Sequence, residues 1–78
     1  MLILLADDHV VVRCGLREIL ANAFAGAQFV EAGVADEVLS AIQHHSCSLL
    51  VLDVNMPGRS GIDLLHDIKT LRPKLPGY

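Results

Sequence analysis

Cysteine is scarce in this chain: Cys14 and Cys47 are the only two among 78 residues, and they form no Cys-x-x-Cys pair. No disulfide framework or thiolate metal knuckle follows from them, and without a secretory context such thiols read as small buried hydrophobes. Long apolar runs are missing as well. The longest near the N-terminus, Met1 to Ala6, is too short to span a bilayer and lacks the basic flank of a signal peptide. A cytoplasmic protein with no membrane association is therefore expected. Positive charge is thin too. Six basic residues (Arg13, Arg17, Arg59, Lys69, Arg72 and Lys74) face nine acidic ones, for a net charge of −3. They make no patch dense enough to hold a phosphate backbone, so residues 1–78 alone are not expected to bind DNA. Repeats, linkers and low-complexity tracts are absent.

What the chain has in excess is apolar character. Hydrophobic residues make up 53% of it and mean hydropathy is +0.48, whereas a typical domain is about 45–50% apolar. At 78 residues the chain is one domain at most. Chains near this size hide only about 60–70% of their unfolded surface. So greasy a short chain implies apolar surface that further material must cover.

Leu2-Ile3-Leu4-Leu5-Ala6 is an unbroken apolar run ending in Asp7-Asp8, the signature of a strand buried on both faces of a parallel sheet. From Val10 to Phe24, the residues Val12, Leu16, Ile19, Leu20 and Ala23 recur at helical spacing and predict a buried stripe. Gln28 to Ala32 reads as a shorter strand at a sheet edge, and Ala35 to His45 as a helix with Val38, Leu39 and Ile42 inward. Leu49-Leu50-Val51-Leu52 repeats the buried-strand pattern and also ends in an acid, Asp53. Asn55-Met56-Pro57-Gly58 is a loop, because Pro57 disfavours helical angles at Met56. A third helix starts near Ser60, which can cap it, with Ile62, Leu65, Ile68 and Leu71 inward and Pro73 as its stop. Leu75-Pro76-Gly77-Tyr78 stands where a fourth strand would start.

Strand and helix alternate three times over short connections, the grammar of a parallel α/β sheet. In such sheets ligands gather beyond the carboxyl ends of the strands, where strand order reverses. With order 2-1-3 the reversal falls between the first and third strands, which brings Asp7, Asp8 and Asp53 together. Three carboxylates that close repel one another, so one must protonate or a cation must neutralise them. Oxygen-only ligands suit Mg²⁺ better than a nitrogen- or sulfur-seeking metal. Singly, each acid has a plainer use, Asp8 as a cap for the first helix and Asp53 as a turn former.

The stretches Leu4-Leu5-Ala6-Asp7-Asp8-His9 and Leu50-Val51-Leu52-Asp53-Val54-Asn55-Met56-Pro57, with Gly61 eight residues after Asp53, resemble the receiver domains of two-component response regulators. Ala6-Asp7-Asp8-His9 with Arg13, Gly15 and Leu16 is similar to the LuxR/NarL-type subgroup, which carries a helix-turn-helix output domain. The resemblance implies a flavodoxin-like doubly wound parallel sheet, incomplete after its third βα unit. It makes residues 1–78 the N-terminal portion of a receiver, without its output domain. It further implies that Asp53 accepts a phosphoryl group from a sensor histidine kinase. Asp8 and Asp53 would bind Mg²⁺ directly and Asp7 through water, with the carbonyl of Asn55 completing the protein's share. The module would regulate transcription and would not be an enzyme in its own right. It would meet DNA only through the output domain.

Complete receivers also supply a Ser or Thr after a fourth strand and a Lys after a fifth, positions beyond this chain. Lys69 is no substitute, lying roughly 13 Å along the third helix from the strand ends. An unpaired outer edge on the third strand and a sheet face short of one helix would favour a homodimer. The rival reading is therefore a dimerisation or interaction fragment that is never phosphorylated. Zinc at His44, His45 and Cys47 is disfavoured, since adjacent helical residues diverge by about 100°. A haloacid-dehalogenase-type phosphatase would want Asp-x-Asp, where Asn55 holds the third place. His9 is expected to be a loop histidine without a ligand role, and Arg59 a solvated charge.

Overall fold

A computed structural model describes residues 1–53 and 61–76. Six elements follow in order: β1 (Leu2–Ala6), α1 (Val10–Ala23), β2 (Gln28–Ala32), α2 (Ala35–His44), β3 (Leu49–Leu52) and α3 (Gly61–Leu71). The three strands form one parallel sheet in the order β2-β1-β3. The expected boundaries hold to within a residue or so at each end. The expected loop Asn55 to Gly58, and the cap at Ser60, lie outside the described residues.

Right-handed crossovers fix which face each helix takes. The step from β1 to β2 runs one way along the sheet and the step from β2 to β3 runs back, so α1 and α2 lie on opposite faces. Side-chain alternation then sorts the core into two clusters. Leu4, Ala6, Ala32 and Leu50 join Val38 and Ile42 of α2 and Leu64 and Ile68 of α3 on one face. Ile3, Leu5 and Leu49 form a smaller cluster on the other, with Leu20, Phe29 and Val51 packed around it.

The helices differ from the sequence expectation in which residues they bury. No residue of α1 is fully buried, and Ile19 remains 64% exposed. Leu16 and Leu20 face the sheet, while Arg13 and Arg17 lean toward β2. Val12 and Ile19 therefore fall on the flank away from β2, which no described element covers. In α3 the buried pair is Leu64 and Ile68, whereas Ile62 is 81% exposed and Leu65 and Leu71 are also exposed. Docking against α2 through an i, i+4 pair selects that stripe rather than the one through Ile62 and Leu65.

Two further expectations need correction. The outer edge of β3 is not bare, because the Leu50 amide donates to the Pro76 carbonyl at 3.0 Å and Leu75 is buried in the core beside it. The tail thus begins to occupy the edge on which sheet-edge dimerisation was expected. Cys14 is exposed rather than buried. Cys47 fits the expectation better: it is half-buried, and burial pushes its thiol pKa up despite the opposing charge of Arg72.

Candidate functional site

The acids owe their meeting to register. Ala6 of β1 stands opposite Ala32 of β2 and Leu52 of β3, so the three strands end level with one another. The ladder then runs one residue further: the Asp7 amide donates to the Ala32 carbonyl at 3.0 Å and the Asp53 amide to the Ala6 carbonyl at 2.8 Å. Both acids are held by the sheet itself. Alternation gives Asp7 and Asp53 the face of Ile3, Leu5 and Val51, the face that α1 covers. Asp8 begins the turn into that helix.

Asp7, Asp8, His9 and Asp53 each offer one ligand atom, and these atoms all lie within 4.8 Å of one another. This is the sole such cluster among the described residues. Asp7 is only 8% exposed. Its Oδ1 accepts from the His9 amide at 2.8 Å, closing an Asx-type turn, and lies 3.2 Å from His9 Nδ1. His9 Nδ1 is also 3.0 Å from Asp8 Oδ1 and 3.9 Å from Asp53 Oδ2. The loop histidine expected after the acids thus has its ring among them, carried there by the Asx turn. Asn55 falls outside the described residues.

Capping does not explain Asp8. His9 is the N-cap of α1, no side chain caps that helix, and its first turn holds no acid. Asp8 Oδ1 is buried and accepts no hydrogen bond, since its approach to His9 Nδ1 is close but poorly angled. A buried carboxylate oxygen without a donor is costly unless a cation completes it. All-carboxylate oxygens suit a hard divalent ion, and the 4.8 Å spread is a rotamer adjustment away from the roughly 4.2 Å between opposite ligands of a Mg²⁺ octahedron. The residues present therefore fit Mg²⁺.

One prediction follows from the crowded charge. Asp8→Asn removes a like charge and lets an amide donate to the neighbouring carboxylates. In EDTA the variant should be more stable than the wild type by about 1 kcal/mol, the Coulomb scale for partly solvated charges near 5 Å. Saturating Mg²⁺ should reverse that order by stabilising the wild type alone. Thermal unfolding with and without the ion reads both effects, and a variant less stable in EDTA would contradict the account.

A cleft of about 520 Å³ lies elsewhere, lined by Glu31, Asp36, Glu37, Ser40, His44 and His45 between β2 and α2. There His44 Nδ1 donates to the Ser40 carbonyl at 2.7 Å, in the manner of a helix C-terminus, and no metal-ligating cluster with Cys47 forms among the described residues. Lys69 Nζ donates to the Leu75 carbonyl at 3.1 Å, at the far end of α3 from the acids.

An open parallel sheet wound on both faces, with carboxylates gathered past the ends of adjacent strands, is a flavodoxin-like module with an acidic strand-end site. Residues 3–77 match the family described as the response regulator receiver domain. The chain belongs to that family. It is similar to the glycerol metabolism activator of Pseudomonas putida, 35% identical over 75 residues that cover 95% of this chain and 34% of the relative. The transcriptional activator protein ExaE of the same organism is 35% identical over 73 residues, covering 94% and 34%. The chain thus spans about a third of the length of these relatives. Among solved structures, RcsB of Salmonella enterica serovar Typhimurium, bound to promoter P1flhDC in the presence of phosphomimetic BeF₃⁻, superposes with a TM-score of 0.85 at 28% identity. That match covers 99% of this chain and 39% of RcsB.

Proposed function

We propose that this chain is the phosphoacceptor portion of a phosphorelay, in which Asp53 takes a phosphoryl group from a phosphohistidine on a sensor histidine kinase. The observation that carries the reading is the convergence of Asp7, Asp8 and Asp53 within 4.8 Å, with Asp8 Oδ1 buried and lacking a donor. An oxygen of the Asp53 carboxylate attacks phosphorus in line with the P–N bond. That bond breaks, its electron pair stays on the imidazole nitrogen, and an acyl phosphate forms on Asp53. The ladder bond from the Asp53 amide to the Ala6 carbonyl holds the attacking residue at the strand end, so alignment comes from the sheet. Asp7, Asp8, Asp53 and the Asn55 carbonyl would hold Mg²⁺, which when bound offsets the negative charge of the transferring phosphoryl oxygens.

The module works in the cytoplasm as one of the LuxR/NarL-type receivers. It assists its own phosphorylation without being an enzyme, and regulates transcription through a DNA-binding output domain outside residues 1–78. The Asp-Asp-His turn with Arg13, Gly15 and Leu16, and relatives named as activators, support that placement. Among the described residues no helix is long and apolar enough to cross a membrane. Incubation with acetyl phosphate and Mg²⁺ should add the mass of one phosphoryl group, and EDTA should prevent it. A chain that stays unmodified and sediments as a dimer would favour the rival interaction fragment, for which the exposed Val12 and Ile19 flank of α1 speaks.

A further inference from the structure

Alternation along β2 puts Phe29 and Glu31 on the face that α1 covers, while helical spacing puts Arg13 and Arg17 one turn apart on the flank of α1 nearest β2. Glu31 receives both: Arg13 Nε donates to Oε1 at 2.9 Å and Arg17 Nη1 to Oε2 at 2.8 Å. Only one of the two arginines goes further. Arg13 Nη1 donates to the main-chain carbonyl of Asp7 at 2.7 Å. Its side chain is just 18% exposed, against 51% for Arg17, whose guanidinium lies over the Phe29 ring at 5.4 Å.

We infer that Arg13 is a positioning residue for the cation site, a clamp that Glu31 aims at the Asp7 carbonyl and that fixes the peptide from which Asp8 and His9 depart. The inference rests on the Mg²⁺ reading of the acids and deepens it. A charge-assisted bond shorter than an ordinary amide bond holds the one backbone carbonyl between the two acids that follow β1, where a small rotation would swing Asp8 away from Asp53. Only a planar fork reaches a carboxylate on one side and a carbonyl on the other. Gly33 leaves the space: a Cβ there would stand 3.3 Å from Arg13 Nη1. Partners of metal ligands commonly change affinity 10- to 100-fold when removed.

The test is Mg²⁺ affinity of the whole chain, followed by amide NMR shifts at Asp8 and Asp53. Arg13→Ala should weaken binding by about 10-fold or more, and Arg13→Lys should recover only part, because an ammonium cannot serve both partners. Arg17→Ala, which loses its bond to the same Glu31 without touching Asp7, should bind within about twofold of the wild type. Glu31→Gln keeps the size of the side chain and should give an intermediate loss, which covers the case of an Arg13→Ala chain that does not fold. Equal affinities for the wild type and Arg13→Ala, or equal losses at Arg13 and Arg17, would overturn the clamp while leaving the cation site standing. A wild type that shows no Mg²⁺ response would overturn the site itself, and the clamp with it.

Discussion

Asp53→Asn should abolish phosphoryl uptake from acetyl phosphate while leaving the fold intact. The amide has the shape of the carboxylate but lacks a nucleophilic oxygen, and chemistry that depends on one attacking atom has no partial substitute. The Asp53 main chain is held by its amide bond to the Ala6 carbonyl, which the substitution does not touch. Intact-mass spectrometry after incubation with Mg²⁺ reads the result directly. A full phosphoryl gain in the variant would move the acceptor to another residue and remove the basis for the proposed chemistry.

Leu4→Ala should produce a large loss of stability. Leu4 lies in the central strand with 0% exposure, between α2 and α3 on the larger core face. Removing such a side chain costs about 2–5 kcal/mol through lost transfer and an unfilled cavity. At roughly 0.05–0.15 kcal/mol per residue the whole chain has only some 4–12 kcal/mol to lose. The loss is thus a large fraction of the total, and the urea midpoint should fall well below that of the wild type. Ile19→Ala, in a stripe whose spacing also signals burial, should shift stability by no more than about 0.5 kcal/mol because the side chain is exposed. Urea titrations of the two variants give the comparison, and equal midpoints would mean that α1 is seated more deeply than described.

That contrast marks where sequence patterning stops. Both strand runs that end in acid were legible, because a strand buried on two faces leaves an unbroken apolar stretch and the next polar residue has to sit at its tip. Given the order 2-1-3, which the receiver resemblance implies and the sheet has, the meeting of Asp7, Asp8 and Asp53 follows from the level strand ends. Helix stripes were less legible. Periodicity shows that Val12, Leu16, Ile19 and Ala23 share a side of α1, yet it cannot say which flank the sheet accepts. Arg13 and Arg17 settle that by reaching toward Glu31. The same holds for α3, where Leu64 rather than Leu65 faces α2.

The long-range polar contacts left the faintest trace. Arg13 and Arg17 stand at i, i+4 and Glu31 alternates with Phe29, but pairing them needs the distance between a helix and a strand that only the fold supplies. His9 was expected as a loop residue without a ligand role, and its distances to the acids follow from the turn closed by Asp7 Oδ1, which a run of letters does not display. Leu75-Pro76 was legible as the place where a fourth strand would start, but not that its Pro76 carbonyl already pairs with Leu50 on the edge expected to be bare.

Manganese offers the sharpest check, because it accepts the same oxygen ligands as magnesium and scatters anomalously. Crystals of the chain grown with Mn²⁺ should show a single strong anomalous peak bounded by the carboxylates of Asp7, Asp8 and Asp53. A peak at the cleft beside His44 and His45, or none near the strand tips at saturating metal, would contradict the assignment.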